Sequence, residues 1–257
     1  MAGIELAPYH KEGLPLAQPL LVAHGTAELL ALLDREALGA VIAPELGGPQ
    51  RRPVRVLERP GGVLLEEGRG ALSFSGLRRL VRAAGELPVI GTITAAHPRG
   101  AANAAGRLAG EGVRALLVDL PAGDPRLAEA AIAAVRDAVD LPLLAQVPLN
   151  EAAACAALAE SAGADALVVA APAQGLAHFD DGLRPVHVHG PLLQPLYLLA
   201  VQEVAQAVRL PIVARGGLLT PEDARAFIAA GAVAVVADTV ASVSPAAVGE
   251  IGRGMGS

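Results

Sequence analysis

Short apolar runs alternate with amphipathic stretches along this chain, and the alternation repeats eight times. Most of the apolar runs lack a period-two pattern, as expected for parallel strands that are covered on both faces. We predict strands at Pro19–Ala23, Ala40–Ala43, Pro88–Ile93, Ala115–Asp119, Pro142–Val147, Ala166–Ala170, Pro211–Ala214 and Val233–Ala237. We predict helices at Ala27–Leu38, Leu77–Ala84, Gly100–Gly110, Arg126–Val139, Glu151–Ala162, Leu192–Val208, Pro221–Ala230 and Pro245–Gly252. Eight strand–helix pairs predict a closed, parallel, eight-stranded (β/α)8 or TIM barrel, with a doubly wound open sheet as the alternative.

Two connections between these elements are long. Glu45–Gly76 contains Arg55-Val-Leu-Glu-Arg-Pro-Gly-Gly-Val-Leu-Leu, in which two extended runs flank a Pro-Gly-Gly turn. This pattern predicts a β-hairpin inserted after strand 2. Ala171–Pro191 follows strand 6 and is expected to be a long loop with a turn at Phe179-Asp-Asp-Gly. Loops that follow strands line the face where barrel enzymes build their active sites. The sequence contains no linker or repeat array, so we expect one domain over residues 1–257.

Composition narrows the class of protein. The 257 residues are 53% hydrophobic but only 2% aromatic, so a core of Ala, Val, Leu and Ile is expected. The net charge of −6 argues against nucleic acid as the main partner, because binding phosphates needs a basic face. One cysteine, Cys155, excludes an internal disulfide and an iron–sulfur cluster held by this chain alone. No long apolar segment is present, so we expect no secretory signal, no membrane span and a cytoplasmic location.

A glycine turn after strand 7 is the strongest indication of a ligand. Leu210-Pro-Ile-Val-Ala-Arg-Gly-Gly-Leu runs from the strand into the turn, and Thr220-Pro-Glu-Asp opens the next helix. Glycine lets the backbone approach an anion closely, and a helix start offers free N–H groups. The turn therefore predicts a phosphate or anion site. The alternative is that the two glycines only end the strand.

The same segment, together with His189-Gly-Pro-Leu-Leu-Gln-Pro, Gly231-Ala-Val-Ala-Val and the predicted hairpin, resembles the dihydroorotate dehydrogenase family over nearly the whole chain. Members of that family are FMN-dependent barrels. The resemblance implies a flavoprotein that oxidises CH–CH groups and associates as a dimer. It also implies which residues hold FMN, namely Gly190, Gly216, Gly217, Asp238 and Thr239.

The catalytic positions of that family are largely replaced. The residues that stand where the family carries Lys or Asn are Pro44, Thr92, Gln146 and Ala171, and the Asn-rich substrate loop becomes Leu65-Glu-Glu-Gly-Arg-Gly-Ala. The loop that supplies the family's base reads Asp119-Leu-Pro-Ala-Gly-Asp, and Ala122 cannot remove a proton. Asp238 lies near the expected phosphate, where a carboxylate opposes binding unless a cation intervenes. We therefore assign no catalytic residue and expect ordinary dihydroorotate oxidation to be lost.

Several polar residues remain at the predicted carboxyl ends of the strands. The candidates for contacting a substrate or anion are His24, Asp119, Gln146, His187, His189 and Arg215. His187 and His189 alternate, so both could face one side and, with an Asp, bind a divalent metal. The alternative is that these histidines hydrogen-bond loop backbone or solvent, and no metal site is assigned. Arg215 could bind an anion or pair with Asp238.

Three functions stay open from the sequence. The first is a divergent FMN-dependent oxidoreductase of unknown substrate. The second is a pseudoenzyme, a catalytically degenerate barrel that serves as a binding or assembly subunit in a homodimer or a heteromeric complex. The third is a changed enzyme that uses His187, His189, Asp119 and Arg215 on an anionic small molecule. Fold alone does not choose among them, because barrels host many chemistries.

Overall fold

The protein is described by a computed structural model, which covers residues 3–46, 55–66 and 72–255. The described strands, in chain order, are β1 Ile4–Glu5, β2 Pro15–Leu16, β3 Leu20–Val22, β4 Ala40–Ile42, β5 Val56–Arg59, β6 Gly62–Glu66, β7 Val89–Thr94, β8 Ala115–Asp119, β9 Leu143–Val147, β10 Ala166–Val169, β11 Ala173–Phe179, β12 Gly182–His189, β13 Ile212–Arg215 and β14 Ala234–Ala237. The described helices are α1 Ala27–Leu30, α2 Phe74–Ala84, α3 Pro98–Ala109, α4 Pro125–Ala138, α5 Ala152–Ser161, α6 Gln194–Ala207, α7 Pro221–Ala229, α8 Thr239–Val243 and α9 Pro245–Met255.

Eight of these strands close into a parallel barrel in the order β10-β13-β14-β3-β4-β7-β8-β9. Each of the eight predicted strands overlaps one barrel strand, which confirms the (β/α)8 fold and excludes the open sheet. The interior is filled by small branched side chains such as Leu117, Leu144 and Val213. A second apolar layer lies between strands and helices. None of the helices in the described ranges has both the length and the hydropathy to cross a bilayer.

The amino-terminal segment closes one end of the barrel. The short strands β1 and β2 pair with each other, and the side chains around them, Leu6, Leu14 and Leu16, belong to the interior cluster and are at most 2% exposed. This end of the barrel is therefore plugged by hydrocarbon.

The first helix is shorter than predicted. The expectation of a helix over Ala27–Leu38 was wrong, because α1 ends at Leu30 and a 3-10 turn follows at Arg35–Ala37. Asp34, just before that turn, has an extended backbone and accepts a hydrogen bond from Arg253 Nη1 at 2.7 Å. Short polar side chains such as Asp compete with the hydrogen bonds of a helix. The Asp34 carboxylate bonds to Arg253 of α9 and does not support a continuation of α1.

The segments after strands 2 and 6 form one antiparallel sheet. The predicted hairpin is present as β5–β6, with Gly61 at φ 87° in its turn. The expectation of a loop over Ala171–Pro191 was wrong, because β11 and β12 form a second hairpin around the predicted Asp180–Asp181 turn. We call the sheet with strand order β11-β12-β6-β5 the flap. The loop expected at Leu65-Glu-Glu-Gly-Arg-Gly-Ala extends into 67–71, outside the described residues.

Candidate active site

Four polar residues form the last layer of the barrel interior at its carboxyl end. Side chains alternate along a strand, so a residue two positions beyond an interior residue faces the same side. Leu117, Leu144, Val213 and Val236 are interior residues, and the positions two further along are Asp119, Gln146, Arg215 and Asp238. The strand pattern therefore turns all four toward the barrel axis. We call this layer, with His24 beside it, the polar layer.

Arg215 is the centre of the polar layer. Its Nε donates to Asp238 Oδ2 at 2.8 Å, its Nη1 donates to Gln146 Oε1 at 2.5 Å, and its Nη2 lies 3.0 Å from His24 Nε2. His24 Nε2 also lies 3.4 Å from Asp238 Oδ1. Arg215 and Gln146 are only 5% and 3% exposed. Of the two interpretations left open for Arg215, pairing with Asp238 is the one that the structure has.

Gln146 connects the guanidinium to Asp119. A guanidinium can only donate hydrogen bonds, so the amide oxygen of Gln146 must face Arg215. The amide nitrogen of Gln146 then points to Asp119 and donates to Oδ1 at 2.7 Å. The orientation of this side chain, which is ambiguous for an isolated amide, is thus determined by its neighbours.

The two carboxylates of the polar layer have pKa values that are shifted in opposite directions. Burial by itself would raise the pKa of Asp238, but the charge of Arg215 and the hydrogen bonds from His24 and Arg215 outweigh it, and the pKa lies well below its ordinary value. Burial also raises the pKa of Asp119, and there the hydrogen bond from Gln146 and the charge of Arg215 only partly offset it. Asp238 therefore loses its proton more readily than an ordinary aspartic acid, whereas Asp119 holds its proton more readily.

The flap brings two imidazoles to the mouth of the barrel. His187 and His189 lie on the same face of β12, with ring centroids 6.4 Å apart. His189 Nδ1 lies 2.8 Å from the hydroxyl of Thr239, and burial lowers the pKa of His189. The field of His187 reaches Asp119 and lowers the pKa of that carboxyl. Within the described ranges, no three His, Cys, Asp or Glu side chains are arranged to hold a metal ion.

The glycines expected to bind FMN lie in close contact with neighbouring elements. Gly216 has φ 108°, and a Cβ there would lie 2.6 Å from the ring of Tyr197. Gly217 has φ 68°, and its Cβ would lie 2.9 Å from Cα of Gln194. A Cβ on Gly190 would lie 2.3 Å from the carbonyl oxygen of Gly61 in the flap. Packing alone therefore requires glycine at these positions, whatever they bind.

Other polar residues lie at the edge of the mouth. Thr92 Oγ1 donates to the carbonyl oxygen of Ala43 at 2.6 Å. Glu45 and Thr92 line a cavity of about 240 Å³ between the ends of β4 and β7 and helix α3. His97 precedes α3 without capping it. Tyr197 was not predicted from the sequence; its hydroxyl accepts a hydrogen bond from the amide of Ala173 at 2.9 Å and so holds the start of the flap against α6. Its position in an apolar helix gave no sign of this role.

Comparison with known proteins identifies relatives along most of the chain. A protein of Desulforudis audaxviator named dihydroorotate dehydrogenase B (NAD(+)), catalytic subunit, is 34% identical over 271 residues, which cover 91% of this chain and 86% of the relative. Proteins with the same name from Trichlorobacter lovleyi and Pelobacter propionicus are 32% and 31% identical and cover 94% and 95% of this chain and 90% of each relative. The nitronate monooxygenase family model matches residues 143–241. On this identity and coverage, the chain belongs to the dihydroorotate dehydrogenase family.

Proposed function

We propose that this chain is a divergent FMN-dependent oxidoreductase whose substrate is not dihydroorotate handled in the ordinary way. The observation that carries the proposal is the turn after β13. The hydrogen bonds of the described residues use neither the Gly216 nor the Gly217 amide, so both N–H groups remain for a ligand. Amides in positive-φ turns at the carboxyl end of a late barrel strand are suited to a phosphate.

The charges around the turn also fit a phosphate. The like-charge repulsion expected from Asp238 is countered, because its carboxylate is ion-paired with Arg215 at 2.8 Å. The hydroxyl of Thr239, which lies against His189, is a third polar group at the same rim. Gly216, Gly217 and Thr239 would hold the phosphate of FMN in this arrangement.

The polar layer fits the polar edge of a flavin ring. Arg215 has five N–H donors and uses two of them on Asp238 and Gln146. Donors on Nη1 and Nη2 that bond to neither residue remain for acceptors of a bound ligand. FMN, when bound, would supply a hydride acceptor, which amino-acid side chains do not offer.

The surroundings of this site argue for a changed substrate. Thr92 donates its hydroxyl hydrogen to the carbonyl oxygen of Ala43. No polar side-chain atom is present at Pro44, Ala122 or Ala171. A planar, polar substrate such as dihydroorotate would find few hydrogen-bond partners at these positions. Lost hydrogen bonds of this kind lower discrimination for the original substrate.

A second candidate function is a catalytically degenerate barrel that serves as a binding or assembly subunit. The specific observation in its favour is that the charges of Arg215 and Asp238 neutralise each other inside the mouth. The relatives are named as a catalytic subunit, so we also propose association with a second subunit or as a homodimer. The cytoplasmic location expected from the sequence stays a prediction, which cell fractionation tests.

The experiment compares the binding of FMN with that of riboflavin, which lacks the phosphate. Fluorescence quenching should show that the wild-type protein binds FMN at least about tenfold more tightly, because charge-assisted hydrogen bonds to phosphate contribute about 1.5–3 kcal/mol each. Gly217→Ala should bring the ratio towards one. Gly182→Ala is the matched control, since Gly182 also has positive φ (114°) but lies in the flap turn with open space around it. Absence of FMN binding would leave the assembly-subunit function in its place.

A further inference from the structure

Of the two acidic residues in the polar layer, Asp119 is the one that forms no ion pair with a side chain in the described part of the chain. Its side chain accepts a hydrogen bond from the neutral amide of Gln146, while the nearby guanidinium of Arg215 is bonded to Asp238 instead. Asp119 is also only partly buried, at the end of β8 where the barrel opens. A carboxyl group in this position is accessible from the mouth and keeps its freedom to gain and lose a proton.

The hydrogen bond from Gln146 places that proton on one oxygen. The amide donates to Oδ1, and in a carboxylic acid the oxygen that accepts is the carbonyl one. The proton therefore belongs on Oδ2. Because Arg215 fixes which end of the Gln146 amide faces Asp119, the three residues form a chain that positions a single proton-carrying atom.

The electrostatics of the two carboxylates agree with this assignment. Sites in which two acids have pKa values displaced in opposite directions commonly divide the roles of acid–base group and fixed charge. Burial raises the pKa of Asp119 and so brings that pKa closer to neutral pH, where a general base works best. The titratable and charged groups whose fields reach it are Arg215 and His187, which lower its pKa, and Glu45, which raises it.

We propose that Asp119 is the acid–base group of this mouth and removes a proton from a carbon acid, with Gln146 and Arg215 as positioning residues. The inference deepens the proposed function and rests on it for the class of substrate. A carbon acid here means a C–H bond next to an electron-withdrawing carbonyl or nitro group. In the step, the C–H bond breaks, the proton forms an O–H bond with the Asp119 carboxylate, and the electron pair stays on the substrate as an enolate or nitronate. No oxidant is needed for this step.

The test is exchange of carbon-bound hydrogen with solvent, followed by proton NMR in D₂O. The two probes are dihydroorotate, exchanged at the carbon next to its ring carbonyl, and nitroethane, exchanged next to its nitro group. The wild-type chain should exchange at least one probe faster than buffer does. Asp119→Asn should lower that rate by at least about 100-fold, the usual contribution of a general base. Asp137→Asn, an exposed carboxylate on α4, is the matched control and should keep the wild-type rate.

Gln146→Leu separates positioning from mere structural support. The amide stabilises ionised Asp119, so its loss should move the midpoint of the rate–pH profile to higher pH. The variant should also exchange more slowly at neutral pH. A merely structural role for Gln146 would lower the rate without moving the midpoint. The profile of this variant also serves if Asp119→Asn does not fold.

The outcomes distinguish this inference from the proposed function. Loss of exchange in Asp119→Asn with FMN affinity unchanged supports both. Exchange by a wild-type chain that binds no FMN supports the role of Asp119 and overturns the flavin function. Exchange at the wild-type rate in Asp119→Asn, or no exchange of either probe by the wild-type chain, overturns the role of Asp119.

Discussion

The two ends of this barrel are closed by opposite kinds of side chain. At the amino end, Leu6, Leu14 and Leu16 seal the interior with hydrocarbon. At the carboxyl end, Arg215 and Asp238 place an ion pair over the same interior. Burying an ion pair carries a desolvation penalty, and apolar residues of similar volume are often as stable or more so. The amino end therefore favours stability, whereas the carboxyl end keeps buried charges at some cost in stability, as the proposed function requires.

The largest expected effect comes from breaking the ion pair from one side. Arg215→Met should lower the free energy of unfolding by about 3–5 kcal/mol, because Asp238 is left buried without its cation. Urea denaturation measures the change. The double variant Arg215→Met/Asp238→Leu should regain much of the loss, since the pair is removed together. Arg114→Met, at an exposed arginine before β8, is the control. A small change in the single variant would mean that water compensates Asp238 and that the polar layer is wetter than its burial indicates.

The second prediction concerns the amino end. Leu16→Ala should lower the free energy of unfolding by about 3 kcal/mol, because the amino-terminal segment loses packing against the barrel interior and a cavity is left. Its affinity for FMN should stay at the wild-type value, since Leu16 lies at the opposite end of the barrel. Leu32→Ala is the control, because Leu32 is 67% exposed. If Leu16→Ala lowered the free energy of FMN binding as much as the free energy of unfolding, the proposed separation of stability and binding between the two ends would be wrong.

The smallest expected effect is a dependence on pH that compares the two carboxylates. Asp238 has a lowered pKa, so its stabilisation is present above the ordinary value of 3.8 and is lost as the pH falls below it. Asp119 has a raised pKa, so its contribution is present below 3.8 and is lost as the pH rises through its folded value. Asp119→Asn should therefore gain stability relative to wild type as the pH rises from 3.8 towards 7. Urea denaturation at a series of pH values measures it, with Asp137→Asn as the control. A difference that stays flat over this range would show that Asp119 ionises as readily in the fold as in the unfolded chain.

The barrel was predictable from the sequence because each buried strand consists of a short, uninterrupted run of apolar residues. The hairpin β5–β6 was predictable for a similar local reason, since Pro60-Gly61-Gly62 indicates a tight turn. The hairpin β11–β12 was missed although its turn was found. In its strand Ala173–Phe179, the large apolar Leu176 is exposed and the small Ala177 is buried. The sequence therefore lacks the regular alternation of apolar and polar residues that predicts a half-buried strand. This strand pairs with β12, and β12 in turn pairs with β6, which lies more than a hundred residues earlier in the chain.

The sequence by itself determined which polar residues would gather at the carboxyl end of the barrel, because strand position and side-chain alternation are local properties. Asp119, Gln146, Arg215 and Asp238 all follow from that pattern. Only the tertiary structure decided which atoms pair. Arg215 could have faced an anion, but it bonds to Asp238 and to Gln146, which lies 69 residues away in the chain. The opposite pKa directions of the two carboxylates follow from those contacts and from burial, since a carboxyl's proton affinity depends on the charges and solvent around it rather than on its neighbours in sequence.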